Sequence, residues 1–258
     1  MRWWRPGRRH TPQGLSSLTV TSWNLQGSKG VDASFVAHEV RERGTDVLLL
    51  QEVQRGQARR ICQALGTTRS RHWGLKHWPV RTWSEGMAVL GLTAPLRVRT
   101  YPVTRRWAFW SWRRRLIQIG RTPEGVTVVN LHLTPHGPTS DLDRAAEIGW
   151  LLRRLPSPDQ PVVIGGDFNA GPDDPLFDRL RAAGLRDAWV TAHPYDLEGG
   201  LTNWSGRRDR PPKRRIDHLW VSAPVQVTSV TVPSTTDDDL TPYAALSDHL
   251  PLTATLKT

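Results

Sequence analysis

Six short strings of polar residues stand out in the 258-residue chain, each placed against an apolar run. They are Trp23-Asn24, Gln51-Glu52, Asn130-Leu131-His132-Leu133, Gly165-Gly166-Asp167-Phe168-Asn169, Arg215-Ile216-Asp217-His218 and Ser247-Asp248-His249. Glu52 follows Leu48-Leu49-Leu50, and a carboxylate at the end of a buried strand is costly unless a cation meets it; a divalent ion with hard oxygen ligands is the economical answer. Period-two alternation turns Asn130 and His132 to one face. Gly165 and Gly166 let the backbone turn sharply and approach a ligand, while Asp167 and Asn169 share a face. Ser247-Asp248-His249 sets an acid beside a base before the last strand. Metal-assisted hydrolysis of a phosphate ester needs oxygen ligands for Mg²⁺ or Mn²⁺, a group to orient and deprotonate water, and donors for the developing charge. Glu52, Asp248, Asp167, Asp217, His132 and His249 are the candidates for those roles. The chain has no Gly-rich Lys-Ser or Lys-Thr loop, no Gly-x-Ser-x-Gly elbow and no His-Glu-x-x-His helix.

The elements that must position these residues alternate between short apolar runs and amphipathic stretches. Strands are predicted over 18–23, 46–51, 87–92, 96–101, 116–121, 126–133, 161–164, 216–222, 225–232 and 252–256. The four between 87 and 133 are spaced like an antiparallel meander. Helices are predicted over 31–43, 54–65, 140–155 and 175–183; the third carries Leu142, Ala145, Ala146, Gly149 and Leu152 on one stripe and is stopped by Pro156 and Pro158. Strand–helix units mixed with hairpins imply an α/β (α+β) chain of two packed mixed sheets flanked by helices. Residues 1–16 read as a basic arm and 17–258 as a single domain.

Charge sets the field around that scaffold. Thirty-five Lys plus Arg stand against 24 Asp plus Glu, a net charge of +11. Lysine is confined to Lys29, Lys76, Lys213 and Lys257, so the other basic residues are arginine. A surface this basic gains by displacing counterions from phosphates, which points to a polyanion such as DNA or RNA. The lone Cys62 excludes an intramolecular disulfide framework and a Cys-rich zinc module. No apolar run approaches the length of a membrane span, and the polar, Arg-rich start does not read as an export signal, so a cytoplasmic monomer is expected.

Taken in order, Trp-Asn, Gln-Glu, Asn-Leu-His-Leu, Gly-Asp-Phe-Asn, Ile-Asp and Ser-Asp-His resemble the endonuclease/exonuclease/phosphatase superfamily, over about residues 17 to 257. The resemblance implies a four-layer α/β/β/α sandwich of two mixed, mainly antiparallel sheets, and an Mg²⁺-dependent hydrolase, with Mn²⁺ as the alternative ion. It makes Glu52, held by Asn24, the principal metal ligand with Asp248 near the same ion. Asp167 and Asn169 then position the attacking water and a phosphate oxygen. His249, oriented by Asp217, is the general base or transition-state donor. His132 matches the histidine that touches the scissile phosphate, and Glu85 sits where deoxyribonuclease-like members place its acidic partner. Abasic-site endonucleases and inositol phosphatases carry other signatures around these motifs, which leaves a deoxyribonuclease-like or deadenylase-like hydrolase. A phosphomonoesterase or a lipid, sphingomyelinase-like phosphodiesterase on the same core is the alternative.

Two basic tracts bear on the substrate. Residues 105–121 interleave arginines with Trp107, Phe109, Trp110 and Trp112, and residues 207–215 hold five arginines and Lys213 against Asp209. Arginine forks bind phosphates and indole faces stack on unpaired bases; the alternative for Trp107 to Trp112 is a hydrophobic hairpin tip or a lipid-interface loop. Arg115, Arg214, Arg215 and Trp204 are the expected substrate contacts.

Overall fold

In the computed structural model the described residues are 16–67, 70–75, 85–103, 115–137, 139–234 and 239–258. The basic arm up to residue 15 and the Trp/Arg segment 104–114 lie outside them. Twelve strands form two six-stranded sheets. The first runs β11 (Gln226–Thr231), β12 (Leu252–Lys257), β1 (Ser17–Asn24), β2 (Val47–Gln54), β4 (Glu85–Gly91), β3 (Ser70–Leu75). The second runs β5 (Arg97–Pro102), β6 (Leu116–Arg121), β7 (Thr127–His132), β8 (Val162–Asp167), β10 (Asp217–Val221), β9 (Arg186–Asp187). Only β1–β2 and β7–β8 pair in parallel; the other ladders are antiparallel.

Burial on both faces explains why β2 reads as an unbroken apolar run. Leu49 points between the sheets, where it joins Val89, Val128, Val163 and Leu219. Leu48 and Leu50 point the other way, into a cluster with Val36 and Val40 of helix α1 (Ala33–Glu42) and Ile61 and Cys62 of α2 (Arg55–Ala64). The outer face of the second sheet is closed by Ile148 and Leu151 of α3 (Ser140–Leu152) and Phe177 and Leu180 of α4 (Leu176–Ala182). The result is the helix–sheet–sheet–helix layering expected.

Several details depart from the sequence reading. The strands between 87 and 133 are no single meander: β4 lies in the first sheet, while β5, β6 and β7 run together in the second. Strand β3, whose sequence Ser-Arg-His-Trp-Gly-Leu lacks clean alternation, is absent from the predicted elements; so are β9 and the short helices α5 (Ala188–Ala192) and α6 (Thr241–Leu246). Helix α3 ends at Leu152, the last residue of its stripe and three before the predicted end at 155.

Candidate active site

Strand register brings three of the motifs into one row. At the end of β7, His132 lies beside Asp167 of β8 in the parallel ladder, and Asp167 faces Asp217 of β10 in the antiparallel one. Opposite them the first sheet ends with Asn24 of β1 beside Gln51 of β2. The next residue, Glu52, has φ 50° at an irregularity between Leu50 and Val53 that turns it out of the ladder. A left-handed backbone at a residue other than glycine is strained and recurs at functional sites.

The two glycines of Gly165-Gly166-Asp167 have separate reasons. A Cβ on Gly165 would come within 2.7 Å of Leu219 Cδ2 and of Leu49 Cδ1, so the glycine permits close approach of the sheets. Gly166 has φ 148°, and a Cβ there would meet the Leu131 carbonyl oxygen at 2.0 Å. The serine of Ser247-Asp248-His249 is an anchor: its Oγ donates to the Asn24 carbonyl at 2.6 Å and accepts the His249 N–H at 3.1 Å. Trp23 Nε1 donates to the His249 carbonyl at 3.0 Å. The first and last motifs are thereby tied across the whole chain.

Both oxygens of Asp167 are held. Oδ2 accepts from Asn24 Nδ2 at 3.0 Å and Oδ1 from the Asn169 N–H at 2.8 Å. His132 Nε2 lies 3.6 Å from Asp167 Oδ2 and 3.8 Å from Glu52 Oε1, and His249 Nε2 lies 3.9 Å from the same Asp167 oxygen. His249 Nδ1 is 2.7 Å from Asp217 Oδ2. Burial raises the Asp167 carboxyl to about 6, with the Asp217 and Glu52 charges adding to it and His249 opposing. Burial works against a charged His249, but Asp217, Asp167 and Asp248 outweigh it and push the imidazole up to about 10. Asp167 is therefore held ionised and His249 cationic near neutral pH.

Beneath this pocket a chain of buried amides joins the sheets. Gln51 Nε2 donates to Asn130 Oδ1 at 2.7 Å, and Asn130 Nδ2 donates to the Leu50 and Ala88 carbonyls and to Gln118 Oε1. Asn130 and Gln51 thus fix the spacing of the sheets, while His132, two residues further along the same face, reaches the mouth.

The remaining site residues separate into those at the mouth and those behind it. Asn169, with φ 51°, donates through Nδ2 to the Leu133 carbonyl, which pins the loop after β8 to the end of β7. Glu85 opens β4 across the ladder from Gln54. Asp248 is half-buried and holds its loop through its carbonyl, which accepts from Trp204 N–H and Asn203 Nδ2. Arg115 precedes β6, where its charge acts on Glu147 of α3. Arg214 is exposed and donates to His136 Nε2 at 2.9 Å.

Arg215 and Trp204 stand elsewhere than expected. Arg215 is 2% exposed and spends its guanidinium on Asp187 at 3.3 Å and the Leu197 carbonyl at 3.1 Å. Trp204, also 2% exposed, packs in the cluster of Trp23, Tyr243 and Leu250, so its indole face is not open for stacking. His136 and Asn203 have no signal in the sequence. Asn203 bridges both Arg214 and His249, which places the basic tract 207–215 against that histidine.

The donor set suits a divalent cation. Glu52, Asp167 and Asp217 crowd into the pocket, each with an imidazole nitrogen within 4 Å, and Oδ1 of Asp217 is buried without a hydrogen-bond partner. Ligand atoms of Asp167, Asp217 and His249 all lie within 4.8 Å of one another. Three carboxylates offering hard oxygens match the preference of such ions. This compact group differs from the expected trio of Asn24, Glu52 and Asp248, of which Asn24 serves Asp167.

A model of the Endonuclease/Exonuclease/phosphatase family matches residues 21–249. No curated protein sequence matches the chain. Among solved structures, an endonuclease/exonuclease/phosphatase from Beutenbergia cavernae is 23% identical with a TM-score of 0.75, covering 93% of this chain and 71% of that one. D. rerio TDP2, complexed with single strand DNA product, is 17% identical with a TM-score of 0.68 over 94% of this chain and 100% of its own. A mannosyl-6-phosphatase from Bacteroides thetaiotaomicron is 18% identical with a TM-score of 0.67, covering 93% and 99%.

Proposed function

Because the chain belongs to the endonuclease/exonuclease/phosphatase family, whose members are hydrolytic phosphoesterases, we propose that it is a divalent-metal-dependent phosphodiesterase that cleaves nucleic acid by in-line attack of water. The observation that carries this reading is the convergence of Asp167, the Asp217–His249 pair, His132 and Glu52 within one set of strand ends. With both its oxygens fixed by Asn24 and Asn169, Asp167 takes the proton of a water aligned behind phosphorus. The new bond forms from that water oxygen to phosphorus as the ester bond on the far side breaks. His249, kept cationic by Asp217, donates from Nε2 to the oxygen on which charge grows, and His132 adds a second imidazole donor. Glu52 and the unpartnered Oδ1 of Asp217 would hold Mg²⁺, which would supply Lewis-acid charge to the phosphate.

Two observations favour a polynucleotide over a small ester. The tract 207–215 adjoins His249 through Asn203, and Arg214 opens to solvent there. The TDP2 structure with single strand DNA product shares this fold. The mannosyl-6-phosphatase keeps phosphomonoesters as the competing reading. Supercoiled DNA, single-stranded DNA, RNA, bis-p-nitrophenyl phosphate and p-nitrophenyl phosphate, each with Mg²⁺, Mn²⁺ or EDTA, separate the two. Cleavage of a polynucleotide that requires metal and vanishes in Asp167→Ala is expected; turnover of the monoester alone would overturn the nuclease reading.

A further inference from the structure

Away from the catalytic mouth, the free edge of the second sheet carries a cleft of about 710 Å³ whose charged lining is entirely arginine: Arg97, Arg99, Arg121 and Arg154. Strand β5 pairs with β6 so that Arg97 faces Arg121, and Arg121 in turn faces Thr127 at the start of β7. Since His132 ends β7, the cleft lies at the opposite end of the sheet from the site. Arg97, Arg99 and Arg121 are exposed, and no carboxylate pairs with any of the four among the described residues. Arg154 sits over the Trp150 ring at 3.8 Å, and that ring packs on Tyr101, which also lines the cleft.

Like charges directly opposite on neighbouring strands are destabilising, so an anion between Arg97 and Arg121 would relieve a repulsion that no carboxylate among the described residues offsets. Arg97 and Arg99 leave the same face of β5 about 7 Å apart, a repeat at which an extended nucleic-acid strand presents its phosphates. The charges come from two neighbouring strands and the end of α3, and such a recess suits a chain of phosphates rather than a flat bilayer. We propose that this cleft is a second binding site for single-stranded nucleic acid, engaging its phosphate backbone independently of cleavage at Asp167.

The test is anisotropy of a fluorescein-labelled oligothymidylate of about 20 nucleotides, in EDTA, as a function of salt, for the full chain and for Arg97→Gln/Arg99→Gln/Arg121→Gln. Glutamine keeps most of each stem over the sheet, and the melting temperature checks the fold. At low salt the affinity is expected to fall at least tenfold, and the slope of log K against log salt to shrink by about 2, roughly 0.7 for each phosphate no longer neutralised. Single Arg99→Gln should remove about 0.7. Hydrolysis of bis-p-nitrophenyl phosphate should be unchanged in both. Unaltered affinity and slope would overturn the proposal, leaving the arginines as charges that guard a sheet edge. So would loss of binding to phosphatidylglycerol vesicles with oligonucleotide binding intact. A chain that binds the oligonucleotide through these arginines but turns over only monoesters keeps the cleft and removes the nuclease reading.

Discussion

Oδ2 of Asp217 lies 2.7 Å from Nδ1 of His249, and both residues are buried. Asp217 is also the register partner of Asp167. One strand pair therefore fixes the base and, through a 32-residue loop closure, the imidazole that faces it 3.9 Å away. Two groups with pKa values driven to about 6 and about 10 share one pocket, so at neutral pH the carboxyl is ionised and the imidazole cationic.

The pH profile of kcat/KM follows from that pair. Under the proposed assignment activity needs Asp167 ionised and His249 protonated; the metal-free pocket sets these limits at about pH 6 and about pH 10, and a cation beside Asp167 moves the acid limb lower. Asp217→Asn removes the charge that most favours the imidazolium. Its alkaline limb should then move down towards the usual imidazole value of 6.5, with the maximum reduced by about 10²–10⁴. An alkaline limb that stays in place would show that His249 is not the group titrating there.

Asn24→Ala tests the support of Asp167. The substitution deletes the donor 3.0 Å from Oδ2 but leaves the Asn169 N–H on Oδ1. A hydrogen bond to a charged group contributes about 1.5–3 kcal/mol, so kcat should fall roughly 10- to 100-fold. Asp167→Asn should abolish turnover altogether. Equal activity of Asn24→Ala and the parent chain would mean that Asp167 needs no such fixing.

Adjacent arginines should behave in opposite ways. Arg214 is exposed beside His136, so Arg214→Ala should raise KM for a polynucleotide while leaving the melting temperature nearly unchanged. Arg215 is buried against Asp187, and its removal deletes a charged hydrogen bond while Asp187 keeps the Trp189 N–H and His218, at about 1.5–3 kcal/mol of stability. Thermal melts and steady-state kinetics on the two variants decide it; a stable Arg215→Ala with a raised KM would return that residue to the substrate.

How much of this is legible in the sequence varies with the physics behind each residue. Strand ends are readable because apolar runs stop abruptly at Asn24, Glu52 and Asp167 and a strand starts at Asp217, and a polar group at such a boundary has few structural uses. The allocation of strands to sheets is not, since alternation tells which residues share a face but not which neighbour a strand pairs with; β4 and β5 follow one another closely yet belong to different sheets. Arg215 and Trp204 mislead because residue type reports what a side chain can bind, whereas burial by Asp187 and by the Trp23 cluster is set by distant chain. His136 and Asn203 lie in loops whose contacts no local pattern encodes. Ser247 is visible as part of a motif, but its anchoring of Asn24 requires the fold.

Glu147 of α3 offers a stability test that is independent of catalysis. Its carboxylate accepts from the Thr134 N–H at 3.0 Å and from the Thr134 hydroxyl at 2.7 Å, two residues beyond His132. Burial nevertheless raises it from 4.5 to about 7, the Thr134 hydrogen bonds and Arg115 only partly opposing. The folded chain then binds more protons than the unfolded one between those values, so stability is greatest below about 4.5, declines as pH rises, and levels off above about 7. The full contribution of this one group is about 3 kcal/mol. Glu147→Gln keeps an acceptor for the Thr134 N–H and carries no proton to lose, so its melting temperature should be flatter over that window and higher than the parent's at pH 8. Denaturant titrations at pH 5, 6, 7 and 8 measure the slope directly. A parent chain and Glu147→Gln variant with parallel pH dependence would show that the carboxylate is ionised in the fold throughout, held by Thr134 and Arg115 against its burial.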